Sequence, residues 1–214
     1  AGTVGKTKEK ILDERTPCRP QNAYEISKYK AEQIVLAELK RGLKAHILRP
    51  VTIFGIKERP EQDSFFHLLK SMRSGLYKNI SQGIYNIVHI DEVVKALKIL
   101  GDTDIPYGST YIVSNAIAYK DMDRLVKSIP PVIRKETANI PYTLAYVISI
   151  TLSLLCPLVG KKNPLTLSRL HALTNQQIYS QKKLLKETAF KNTLPIESHL
   201  RAVCNKYIEL GLLP

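Results

Sequence analysis

Cysteine is scarce in this chain: Cys18, Cys156 and Cys204 are the only three, widely spread and odd in number. No CxxC pair occurs, so neither a disulfide framework nor a thiolate metal cluster is indicated, and reduced thiols in a cytoplasmic setting are expected. The five histidines (His46, His67, His89, His171 and His199) are equally scattered and no HExxH is present, which argues against a catalytic metal. No basic segment followed by a short apolar one is visible at the start, so no secretory signal is expected. Repeats and low-complexity tracts are also lacking. Acidic residues are in the minority, 19 against 32 Lys and Arg, giving a net charge of +13. A basic surface can hold nucleic acid or an anionic membrane. However, no tight Lys/Arg block interleaved with aromatics occurs, so a solvated lysine-rich surface is the plainer reading and no nucleic acid is expected.

What is present is ordinary for a folded domain: 44% hydrophobic and 24% charged residues over 214 positions. Lys6–Asn22 is polar, carries Pro17 and Pro20, and reads as a surface loop. Ala23–Arg41 has Ile26, Ala31, Ile34, Val35 and Leu39 near helical spacing, with Gly42 to close it. Ala45–Leu48 reads as a buried strand feeding an ordered loop through Arg49, Pro50 and Gly55. Asp63–Ser74 is predicted helical, Ile84–Ile90 a strand, and Asp91 is placed to cap a helix running to Leu100. Thr110–Ser114 reads as a strand and Asp121–Ile129 as a helix. Strands alternating with helices predict an α/β fold with a parallel sheet. From about residue 130 only helices are expected, the last of them Pro195–Gly211.

Between Glu136 and Lys161 no charged residue occurs, while Arg134, Lys135, Lys161 and Lys162 flank the stretch. A membrane-crossing helix needs about 20 mainly apolar residues. Thr143, Ser149, Thr151, Ser153 and Pro157 lower the hydrophobicity. Three readings stay open: a buried or substrate-covering helix, a helix dipping into one leaflet, and a true span.

Tyr24 and Lys28 lie at i and i+4 of a helix and so share a face. The spacing has a chemical use, because an ammonium beside a phenol favours the phenolate and suits tyrosine to acid/base work near neutral pH. Spacing alone is weak support: the chain has 11 tyrosines, and Tyr179 and Lys183 share the same separation.

Order and context distinguish the first pair. Asp13-Glu14-x-Thr16-Pro17, Pro20 and then Tyr24-x-x-Ser27-Lys28-x-x-Ala31-Glu32 resembles the active-site helix of the extended short-chain dehydrogenase/reductase family, which includes NAD-dependent epimerases and dehydratases. Arg49-Pro50-x-x-x-Phe54-Gly55 resembles that family's loop beside the nicotinamide. Val88-His89-Ile90-Asp91-Glu92-Val93 resembles its strand-to-helix junction. The resemblance implies the C-terminal part of a Rossmann-like doubly wound parallel sheet, with a mainly helical substrate-binding subdomain. Residues 1–130 would form the second half of the Rossmann-like domain with interleaved substrate-binding elements, and residues 131–214 the helical region.

The resemblance also implies a cofactor, NAD or NADP, with Tyr24 as general acid/base, Lys28 on the ribose, and Pro50 and Val51 along the nicotinamide. The family's third catalytic member is a Ser or Thr. Aligning Gly5 with the family's glycine puts it before Ala1, and Thr3 is the only hydroxyl within residues 1–5. Gly2 and Gly5 are three apart, but Lys8 stands where a third glycine would complete the phosphate-binding turn. About 100 residues, roughly three βα units, are therefore expected upstream as a cofactor-binding half. Without that half the chain should bind NAD(P) poorly and be inactive.

Thr52 occupies the position at which sugar-nucleotide members carry Asn towards the substrate diphosphate. The uncharged stretch and Lys161-Lys162-x-Pro164-Leu165 resemble hydroxysteroid-dehydrogenase-like and dihydroflavonol-reductase-like members. An apolar cover suits an apolar substrate, since burial is worth about 25 cal/mol per Å². The leading expectation is thus an NAD(P)-dependent oxidoreductase acting on a steroid-like, lipidic or aromatic alcohol or ketone. The alternatives are a nucleotide-sugar epimerase or dehydratase, and a non-catalytic member binding a partner or membrane. Expected partners are the small-molecule substrate, the upstream half, peripheral membrane contact through residues 137–160, and a second copy in a homodimer.

Overall fold

The computed structural model describes the chain except residues 1–3, 5–6, 8, 76–78, 81–82, 103–104, 133–136, 138, 159, 161–162 and 164, with the side chains of 79 and 158 also left aside. Two compact units interleave along the sequence: residues 1–55, 86–116 and 177–196 form one, and residues 56–85, 117–176 and 197–214 the other.

The first unit is α/β. Strand β1 (Ile11–Leu12) lies in a segment expected to be loop; two residues are too few to show periodicity. Helix α1 (Ala23–Leu39) follows, and Asn22 caps it by accepting from the Glu25 N–H at 2.9 Å. Glu25 in turn accepts from the Gln21 N–H at 2.7 Å, so the helix start is held from both sides. Gly42, at φ 99°, then turns the chain with a backbone conformation that costs a Cβ-bearing residue energy.

Strand β2 (Ile47–Pro50) continues past the predicted Leu48, and the expected loop is instead a second short strand, β3 (Thr52–Phe54). The break at Val51 is a change of partner. Strand β2 pairs in parallel with β6 (Thr110–Val113), which β7 (Asn115–Ala118) follows after Ser114, whereas β3 pairs in parallel with β5 (Ile84–His89) at Thr52↔Ile87 and Phe54↔His89. Helix α3 (Ile90–Gly101) packs on β2, β3 and β6. Val88, Val93, Ala96, Leu100, Tyr111 and Val113 form the core between them. His89, rather than Asp91, caps this helix: its Nδ1 accepts from the Asp91 N–H at 3.3 Å, because Asp91 is already inside the first turn.

In the second unit, α2 (Ser64–Arg73), capped by Asp63, packs against α4 (Tyr119–Lys127). Arg73 is fully buried and donates to the main-chain oxygens of Val126, Ile129 and Pro214, which offsets the cost of taking its guanidinium out of water. Tyr207, on α8 (Ile196–Glu209), meets Phe66 edge-on at 5.1 Å. Strands β4 (Asn79–Ile80) and β8 (Asn139–Ile140) pair in parallel, so the chain after residue 130 is not purely helical. Strand β9 (Ile178–Tyr179) of the first unit, paired with β1, is another departure from that expectation.

The uncharged stretch forms α5 (Tyr142–Leu158), which packs on α6 (Leu167–Thr174) through Ala145 and Leu170. Among the described residues no helix is long and apolar enough to cross a membrane.

Candidate active site

Tyr24 sits in the first turn of α1 and Lys28 one turn on. The Lys28 ammonium lies over the Tyr24 ring, 5.6 Å from its centroid. The Tyr24 side chain is 68% exposed, so its phenol is open to a ligand. Ser27 donates to the Tyr24 carbonyl at 2.7 Å, which ties the hydroxyl to the backbone rather than to the site.

Two turns along the same helix, Glu32 is buried and accepts from Arg49 on β2: Nε to Oε2 is 3.0 Å, and Nη2 meets Oε1 more closely still. Arg49 Nη2 also reaches Cys18 Sγ at 3.3 Å. Burial alone would lower the pKa of this guanidinium, but the Glu32 carboxylate outweighs it and the net direction is upward. Alternation along β2 explains the arrangement. Leu48 packs against the core under α3, so Arg49 must point to the opposite face.

Immediately after Arg49, the backbone of Pro50, Val51 and Thr52 ends β2 and begins β3. The Val51 N–H donates to the Val113 carbonyl at 3.3 Å. Tyr24, Lys28, Pro50, Val51 and Thr52 line one cavity of about 1020 Å³ in the first unit. All the described residues expected at a site are thus brought together; Thr3 lies outside the described residues. The cavity runs along β2 from Leu43 and Ala45 to Pro50 and on to Ile53, so it includes the strand's carboxyl end, where open α/β sheets take their ligands.

Asn86 and Tyr179 are polar lining residues that the sequence did not point to. Asn86, on β5, accepts from the Tyr179 N–H at 3.1 Å and donates to the Gln177 carbonyl at 2.8 Å, pinning β9 beside the cavity. Tyr179 thereby faces the same space, with burial chiefly, then Glu25, raising its pKa. Its i+4 neighbour Lys183 belongs to a different element, α7 (Lys182–Glu187), where it donates to the Thr110 carbonyl at 3.0 Å and lies over Tyr111. The second Tyr/Lys spacing is therefore a strand residue and a helix residue, with no shared helix face. The only signal for Tyr179 was the aromatic itself, far along the chain.

The "Epimerase" family description, NAD dependent epimerase/dehydratase family, matches residues 1–113. No curated protein sequence matches. Among solved structures, gox2253 superposes with a TM-score of 0.71 at 22% identity, over 95% of this chain and 62% of that one. UDP-glucose 4-epimerase from Thermotoga maritima, solved with UDP-glucose, gives 0.67 at 17% identity, over 98% and 61%. DesIV, a dTDP-glucose 4,6-dehydratase from Streptomyces venezuelae with NAD and TYD bound, gives 0.66 at 13%, over 97% and 57%. At such identities the likeness is one of fold, and this chain spans less than two thirds of the length of each of these structures. The match to residues 1–113, more than half of the 214, places the chain in the NAD dependent epimerase/dehydratase family.

Proposed function

We propose that this chain supplies the proton-transfer part of an NAD(P)-dependent enzyme that oxidises a hydroxyl-bearing carbon to a carbonyl or reduces the carbonyl back, with a nucleotide sugar as substrate. The observation that carries the reading is the convergence of Tyr24, Lys28 and the Pro50–Thr52 backbone on one cavity. Tyr24 is the general acid/base, exchanging a proton with the substrate oxygen as it passes between alcohol and carbonyl. Lys28 holds positive charge beside the phenol where negative charge develops. The residues present fit the nicotinamide and ribose end of NAD or NADP: Lys28 is an exposed donor for ribose hydroxyls, and Pro50 and Val51 offer a flat, half-buried wall. Bound NAD or NADP supplies the hydride acceptor or donor. Thr52, exposed at the start of β3, is the substrate contact. Thr3 is the hydroxyl the chain offers as a third catalytic member.

The family membership and the epimerase and dehydratase folds support the sugar reading over an apolar alcohol or ketone. A second reading, an apolar substrate, is favoured by Thr52 standing where sugar-nucleotide enzymes carry Asn, and by the uncharged stretch that forms α5. Cofactor-dependent absorbance change with the complete protein separates them: turnover of UDP- or dTDP-hexoses is expected, and turnover of apolar ketones alone would overturn the sugar assignment.

A further inference from the structure

Helix α5 carries no charge and is mainly apolar, and among the described residues its buried positions fall along one stripe. Ala145, Ser149 and Cys156 are buried along that stripe. Leu144, Val147, Leu154 and Leu155 are each more than half exposed, and Tyr142 and Tyr146, stacked at 6.1 Å, stand partly exposed at the start of the helix. Thr143, Thr151 and Ser153 are exposed among them, Thr151 donating to the Val147 carbonyl, and a mainly apolar patch of this kind is one that some further surface covers. Seventeen residues span about 25 Å at 1.5 Å each, short of a bilayer's roughly 30 Å hydrocarbon core, so crossing is not the means.

We infer that the exposed face of α5 seats in the plane of an anionic membrane surface, sinking Val147, Leu154 and Leu155 to the acyl boundary. Charge selects this occupant. From Thr137 to Gly160 no charge opposes insertion, and the neighbouring sequence supplies Arg134, Lys135, Lys161 and Lys162 against the single acid Glu136. A second copy of the chain could cover the apolar side chains but would bring two +13 bodies and two sets of basic flanks together. Anionic headgroups neutralise the same flanks. Tyrosines at the helix start suit the headgroup level, where an apolar ring and a polar hydroxyl are both accommodated. This inference is independent of the substrate.

Co-sedimentation of the complete protein with phosphatidylglycerol-containing and pure phosphatidylcholine vesicles tests it. Binding should require the anionic lipid and weaken with added salt. The double variant Val147→Asp/Leu154→Asp should reduce partitioning by at least about tenfold, because two apolar anchors become charged. Both positions are exposed, and the milder Val147→Ala/Leu154→Ala pair, expected to give an intermediate loss, guards against a folding defect. Absence of sedimentation with anionic vesicles, or equal sedimentation of wild type and the aspartate variant, overturns the inference. So does an oligomer that the aspartate variant converts to monomer without any vesicle binding, since a second copy would then be the occupant.

Discussion

Arg49 and Glu32 form a buried, two-point ion pair that joins strand β2 to the helix bearing Tyr24 and Lys28. The guanidinium stands one residue before Pro50, and the carboxylate one turn after Lys28. The two halves of the cavity are thus fixed to each other through a single fork of hydrogen bonds. Removing one partner leaves an uncompensated buried charge, which costs about 3–5 kcal/mol. Glu32→Ala and Arg49→Ala should each destabilise by that amount in urea unfolding. The paired replacement Glu32→Leu/Arg49→Met should lose much less, because neither charge is then stranded. Arg49→Lys should behave closer to the alanine variant, since an ammonium cannot reproduce the planar fork. Equal losses in the single and double variants would show that the pair matters through packing alone.

Tyr24→Phe removes a hydroxyl from a side chain that is two-thirds exposed. Its stability should stay within about 0.5 kcal/mol of wild type. Turnover should fall by about 10²–10⁴-fold, the usual contribution of a positioned acid/base. Lys28→Met should lower turnover as well, and Lys28→Arg should restore part of it by returning the positive charge. A Tyr24→Phe protein with unchanged turnover in the NAD(P)-linked assay would remove Tyr24 from the chemistry.

These positions also show what the sequence could and could not convey. Tyr24, Lys28 and Pro50–Thr52 were legible because each occupies a local pattern: a helix turn or a strand end with fixed neighbours. The longer helices were legible for the same reason, since a periodic apolar stripe extends over several turns. Strands β1, β8 and β9 have two residues each, too few to carry any period. Tyr179 was missed because it reaches the cavity through pairing with β1 and the amide of Asn86, contacts made across most of the chain. Spacing carries no information there, since Tyr179 and Lys183 repeat that of the first pair while belonging to different elements. The cap on α3 was misassigned by two residues because histidine, too, can accept through Nδ1.

Gly83 tests a close backbone approach. A Cβ at this position would lie 1.8 Å from the Leu173 carbonyl oxygen, and the obstacle is main chain, which cannot rotate away. Gly83→Ala should therefore destabilise by about 3 kcal/mol or more. Gly101, at the end of α3, has no atom within 4 Å of the same construction. Gly101→Ala should be neutral or stabilise by up to about 1 kcal/mol through the unfolded chain's lost freedom. Denaturant midpoints of the two variants provide the comparison, and similar values would contradict the crowding at Gly83.

The buried thiol of Cys204 should make stability fall in alkaline solution. Burial pushes its pKa from 9.0 up to about 12, against the opposing pull of Arg73 and Arg201. In the unfolded chain the thiol loses its proton near 9.0, while in the folded protein it keeps it. Between those values the folded state binds more protons, so raising the pH favours unfolding. The contribution is complete below about pH 9 and is lost as pH rises towards about 12, at no more than about 1.4 kcal/mol per pH unit. Tyr207, whose pKa is also raised from 10.0, mainly by burial, adds to the loss in the same direction. Urea unfolding between about pH 8 and pH 10 should show a decline that is shallower in Cys204→Ala than in wild type. The alanine variant will start from a lower stability because it leaves a small void, so the slope, not the midpoint, is the diagnostic quantity. Identical slopes would mean that the thiol titrates alike in both states, and that its burial does not govern its proton.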